Sequence, residues 1–257
     1  MAAGASTDEL LRYASACSDP TARRVLADGL RRQAMAKLGA VLTTLNARRL
    51  PVHITPAAEA MYTTIASALP EQFQPLFQAL LDPAQTDQLL DNLGDQGKLF
   101  DALLHNTVSP TVVRGGHKVN VIPSEIRLRV DGRLLPGFTP ADLSAELREL
   151  LGDDVEIIVK AHDPGPAAPD MGLFDTLGGI VQEMDGVGTA VPLMLPGVTD
   201  ARFFSQLGIQ TYGFLPMNLP ADFNFTDLVH AADERVPAEA IVFGANAVYE
   251  ALQRFHA

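Results

Sequence analysis

The residues best placed to do chemistry lie in the loop PMNLPADFNFTDLVHAADERVP, where His230, Asp233 and Glu234 gather just before a helix expected to begin at Pro237. A neutral imidazole offers a nitrogen lone pair to a metal or a proton, and a nearby carboxylate can orient the ring. The same spacing also suits a hydrogen-bonded loop histidine beside two acids that favour a helix N-terminus. Arg133 follows Arg127 and Arg129 along one period-two segment. A guanidinium held on a strand can clamp a carboxylate through two parallel hydrogen bonds, and it is equally at home on the solvated face of an edge strand. Asn120, four residues after Gly116, reads as a turn residue or as a side-chain amide aimed at an oxyanion. In PGVTDARFF, Gly197 and Thr199 stand at a strand-to-helix junction, where backbone amides and a hydroxyl can hold an anion or simply cap the helix.

The elements that must position these groups divide the chain. From Thr7 to Asn46, apolar residues recur at helical spacing with a break near Ser18–Pro20, and the same period runs from Thr55 to Leu104, punctuated by Pro70, Pro75 and Pro83. The N-terminal third is therefore expected to be helical. At Asn106 the pattern changes to β-branched runs: NTVSPTVVRGG, then a stretch in which Ile126, Leu128 and Val130 oppose Arg127, Arg129 and Asp131. Thr139 and Pro140 suit an N-cap and first helical residue, with Leu143, Leu147, Leu150 and Leu151 as the buried stripe. Val155–Lys160 reads as a further strand, completing an α+β sandwich with an antiparallel sheet. After the Pro/Gly-rich linker 163–172, helices over 173–184, 200–207 and 237–255 alternate with expected strands over 190–195 and 210–214, predicting a helix-covered sheet. The chain holds no internal repeat.

Composition bounds the function. The chain of 257 residues is 47% hydrophobic and 19% charged, enough for a packed core. A formal charge of −12 opposes binding to nucleic acid or anionic lipid. One cysteine, Cys17, excludes an internal disulfide and a multi-thiolate metal site. With no signal-like N-terminus and no apolar run of membrane length, a cytoplasmic setting is expected.

Taken in order, HNTVSPTVVRGGHKVNVIPSEIRLRVDGRLLPG, GVTDARFFSQLGIQTYGFLPM and DLVHAADERVP resemble the metallopeptidase family of glutamate carboxypeptidase, aminoacylase, acetylornithine deacetylase and succinyl-diaminopimelate desuccinylase. The resemblance runs from about Met35 to the end. It implies an α/β architecture, with an α+β lid and dimerisation domain over 35–165 and part of an α/β catalytic domain over 166–257, after an extension of unknown origin over 1–34. In such enzymes two zinc ions activate a water that attacks an amide carbonyl of a peptide or an N-acyl amino acid. On this resemblance His230 is a metal ligand, Asn120 and Arg133 contact substrate from the lid, and Gly197 and Thr199 line the cleft. The family's remaining ligands precede the lid and find no match between Met1 and Met35. The chain is accordingly expected to be truncated, not to retain zinc, and to be inactive alone. It is expected to form a homodimer through the lid. A reading from another class is a non-catalytic dimerisation or carboxylate-binding module.

Overall fold

The computed structural model describes residues 34–94, 97–165, 170–195 and 197–255. The sequence-predicted helix break near Ser18–Pro20 lies outside them. The described residues fall into two compact units, one of residues up to Pro51 with His105–Lys160, the other of Val52–Leu104 with Ala161 onward.

The first unit contains helix α1 (Ala34–Ala47), strands β1 (Thr107–Gly115) and β2 (Ile126–Arg133), and helix α6 (Pro140–Leu151). Period-two alternation is realised as an antiparallel hairpin in which Val113 opposes Leu128 and Arg114 opposes Arg127. The ladder slips between Pro110 and Val112, as expected where a residue without an amide proton cannot donate. Gly116, with φ 70°, takes the chain out of β1 in a left-handed conformation that costs a glycine little. α6 begins as the sequence indicates: Thr139 and Asp142 form a capping box and Pro140 opens the helix. Leu147 is buried on its inner stripe. Gly132 lets this helix approach β2, since a Cβ there would stand 2.7 Å from Leu143 Cδ2.

The second unit starts with α2 (Pro56–Ala68), α3 (Gln74–Ala79), α4 (Thr86–Leu93) and α5 (Gly97–Leu104), broken at the prolines as expected. Thr55 caps α2 by accepting from the Ala58 amide. The core of these helices is Ala58, Met61, Tyr62, Leu80, Leu90, Leu103 and Leu104, with Phe77 and Phe100 against it. Further on come α7 (Phe174–Asp185), α8 (Ala201–Gln206), the short α9 (Phe225–Leu228) and α10 (Ala238–Arg254). α10 lies against α7, with Arg254 donating two hydrogen bonds to Glu183, at 3.1 and 2.7 Å. Gly244 permits close approach of α10 to the preceding loop: a Cβ there would sit 2.7 Å from the Pro216 carbonyl.

Three expected strands are corrected by the structure. Val155–Lys160, Ala190–Leu195 and Gln210–Phe214 adopt no regular structure and join no ladder among the described residues, where the sheet consists of β1 and β2. A strand is defined by a partner for its backbone groups, and an apolar run does not supply one. Val191 and Met194 instead pack on the α2–α5 core. Segment 210–214 is tied by side chains: Gln210 and the Tyr212 hydroxyl both donate to the Asp170 carbonyl, and Tyr212 accepts from the Leu173 amide. No helix of the described residues is long and apolar enough to cross a membrane.

Tyr62 is fully buried, yet its hydroxyl has no hydrogen-bond partner among the described residues, and burial raises its pKa far above the usual phenol value. A buried donor without a partner costs about 1–3 kcal/mol. Tyr62→Phe is therefore expected to leave stability to urea unchanged or raise it by up to about 1 kcal/mol. A loss above about 1 kcal/mol would show that the hydroxyl is satisfied.

Candidate functional site

Unit one presents its polar residues on one face of the hairpin. Residues directly opposed in an antiparallel pair share a face, so Arg114 and Val112 lie with Arg127 and Arg129. Arg127 pairs with Glu125, whose carboxyl is held below the usual range mainly by that hydrogen bond. Arg133 reaches Asp131 at 3.3 Å. Among the described residues neither Arg114 nor Arg129 pairs with a carboxylate.

The sequence-predicted lid residues stand apart. Asn120 is exposed in the turn closed by the Val121 amide on the Lys118 carbonyl at 3.2 Å, between the strands. Arg133 ends β2 at the hairpin's other end. At roughly 3.3 Å per residue, the length of β2 puts them more than about 20 Å apart. A single small ligand therefore cannot touch both within one chain.

Unit two carries the rest. Gly197 is exposed, and a Cβ there would meet nothing nearer than Leu195 Cγ at 3.7 Å. Thr199 accepts from the Ala201 amide at 3.3 Å, the helix-start role open to it from sequence. His230 is exposed and adopts φ 61°, a left-handed backbone uncommon outside glycine. Close by, Asp233 is engaged by Arg235 rather than by the imidazole.

One anchoring residue was not singled out from sequence. Asn106, 1% exposed, donates from Nδ2 to Glu146 Oε1 and accepts at Oδ1 from the Leu135 amide, both at 2.9 Å. One side-chain amide thus joins the start of β1, the segment after β2, and α6. Its sequence signal was slight: a polar residue opening an apolar, β-branched run.

The profile of the peptidase dimerisation domain of the M20 family matches residues 25–157, just over half the chain. The chain belongs to the M20 metallopeptidase family. The human N-fatty-acyl-amino acid synthase/hydrolase PM20D1 is 27% identical over 198 residues, covering 74% of this chain and 39% of that protein. The Xenopus tropicalis PM20D1 is 30% identical over 145 residues, 55% of this chain and 28% of its own length. The probable carboxypeptidase S-like 2 of Dictyostelium discoideum is 30% identical over 144 residues, 53% of this chain and 27% of its own. This M20 chain thus spans well under half the length of these curated relatives. No solved structure matches it significantly.

The family's metal can be tested against the donors present. No group of three or more His, Cys, Asp or Glu residues is placed to hold a metal ion among the described residues. A zinc site needs three or four protein ligands in defined geometry, so His230 with its described neighbours does not fit a metal centre.

The Asn106 junction is testable by a double-mutant cycle. Asn106→Asp replaces the donor facing Glu146 by a carboxylate and should cost about 2 kcal/mol by denaturant unfolding. Adding Glu146→Gln, which restores a donor to the pair, should recover part of that loss. Simple additivity of the two losses would contradict the described geometry.

Proposed function

We propose that this chain is the lid and C-terminal portion of an M20 hydrolase whose reaction is cleavage of the amide bond of an N-acyl amino acid or small peptide, and that it is inactive by itself. In this reading residues 35–165 form the lid with a helical excursion and residues 166–257 belong to the catalytic side, while of the extension over 1–34 the part before residue 25 precedes the family match. The chain supplies substrate contacts and one prospective zinc ligand, His230, and works in the cytoplasm as a homodimer through the lid. The observation that carries the reading is the family match over residues 25–157, which falls on a hairpin with an exposed arginine face.

The chemistry follows from what each group can do. A metal centre completed by ligands beyond His230 would supply the activated water. This chain's own groups act on the substrate: Arg133 is a fixed positive fork for a carboxylate, and Asn120 offers an amide donor to an oxygen that gains charge. The loop of Gly197 and Thr199 would line the cleft. The separation of Asn120 from Arg133 along the hairpin means that one substrate meeting both would draw them from two copies, which fits the dimer in this reading.

A second reading, a non-catalytic carboxylate-binding and dimerisation module, is favoured by the donor set, which lacks a three-ligand cluster among the described residues. Elemental analysis after zinc loading and desalting, run beside hydrolysis of N-acetyl amino acids, separates the two from a working enzyme. The expected result is neither retained zinc nor hydrolysis, for the wild type and for His230→Ala alike. Two tightly held zinc ions, lost in His230→Ala together with activity, would overturn the inactive assignment and make the chain a complete hydrolase.

A further inference from the structure

Helix α10 carries its large and small residues the wrong way round for a surface helix. Its buried face is made of Ala240, Gly244 and Ala247, whose small size lets it lie close to the rest of its unit. The large apolar side chains point elsewhere: Val242, Tyr249 and Leu252 are between 60 and 68% exposed, and Ile241 is nearly as open. A surface helix ordinarily turns its apolar stripe to the core and its charges to water. From Ala240 to Tyr249 this helix carries no charge at all. The unit it belongs to, segments 52–104 and 161–257, nevertheless holds four Lys and Arg against nineteen Asp and Glu.

The exposed residues keep a defined spacing. Ile241, Ala245, Val248 and Leu252 follow one another at steps of 4, 3 and 4, the seam by which one helix packs against another. Val242 and Tyr249 border it. Read backwards, the seam repeats its own spacing. Turning a second copy of the helix end for end brings Ile241 level with that copy's Leu252, and Ala245 level with its Val248. Small side chains then meet at the crossing and long ones at the ends. The same turn sets Glu239 level with Arg254 of the second copy, whereas a parallel pair sets acid beside acid. Opposed helix dipoles add to that preference. With Phe255 just past the helix, the face exposes roughly 700 Å² per copy, close to the about 800 Å² that each partner gives a standard interface.

We infer that the outer face of α10 is a self-association surface, covered by α10 of a second copy packed antiparallel across a two-fold axis. This interface is separate from the lid contact of the proposed function and does not rest on it. It joins two acidic units through an uncharged seam, so charge repulsion opposes it and screening relieves that repulsion. Association through α10 therefore tightens as salt rises, the opposite of an interface held by ion pairs. The same acidity disfavours an anionic lipid surface as the occupant.

Analytical ultracentrifugation of the whole chain at low and high sodium chloride tests this. The expected result is a reversible equilibrium whose larger species gains population with salt. Val248→Glu with Leu252→Glu, both at exposed positions, should remove that species and leave the unfolding midpoint unchanged. A fall from tetramer to dimer in this variant supports the α10 interface beside a lid dimer; a fall from dimer to monomer supports it and removes the lid dimer. Orientation is read by cross-linking with a short bismaleimide in a Cys17→Ser background. Ile241→Cys mixed with Leu252→Cys should cross-link efficiently, while either variant alone should not, because an antiparallel pair separates like positions by about 16 Å along the axis. A mass distribution that the glutamate variant leaves unchanged would overturn the inference and leave the face to another polypeptide. So would association that weakens with salt, or cross-linking of each cysteine variant with itself.

Discussion

The buried amide of Asn106 fixes where the hairpin of the lid can be. An isolated two-stranded hairpin is marginal in water, so β1 and β2 must be held by something outside their own ladder. Asn106 does this from both ends of its amide, giving a hydrogen to Glu146 on α6 and taking one from the Leu135 backbone just beyond β2. Because the residue is almost wholly buried, losing either partner would leave a polar group dry, which makes the junction costly to open. The capping box of Thr139 and Asp142 in turn fixes where α6 begins, and so where Glu146 falls. The arginine face is thus positioned through a chain of local bonds within one unit.

The second unit solves a different problem. Its apolar irregular segments lack ladder partners among the described residues, so their stability comes from side chains. Val191 and Met194 join the aliphatic and aromatic core of α2–α5, and Tyr212 with Gln210 ties segment 210–214 to the backbone near Asp170. Large apolar residues remain exposed along this unit, among them Leu193, Leu215 and Leu252. A strand signal in sequence reports which residues seek burial. It does not report whether helix or strand will cover them.

That difference explains what was legible. The Thr139–Pro140 helix start, the breaks at Pro70, Pro75 and Pro83, and the Ile126–Leu128–Val130 alternation are all local and all realised. The strands expected over 155–160, 190–195 and 210–214 required non-local partners, and these are what the structure replaces with other packing. Thr199 shows the same logic in favour of the simpler option, since its hydroxyl serves the start of α8. Asn106 escaped notice because its importance lies in partners 29 and 40 residues away, which no spacing rule reaches. Asn120 and Arg133 could be picked out as residues, but their placement at opposite ends of one hairpin needed the ladder register.

The central claim is that ligand recognition in this chain resides on the lid hairpin and does not depend on a metal centre. The most direct test is an amide nuclear magnetic resonance spectrum of the chain titrated with N-octanoylglycine, with and without zinc. The account predicts shifts confined to the hairpin, around residues 112–133, the same in both conditions. Shifts that appear only with zinc and centre on His230 would contradict it.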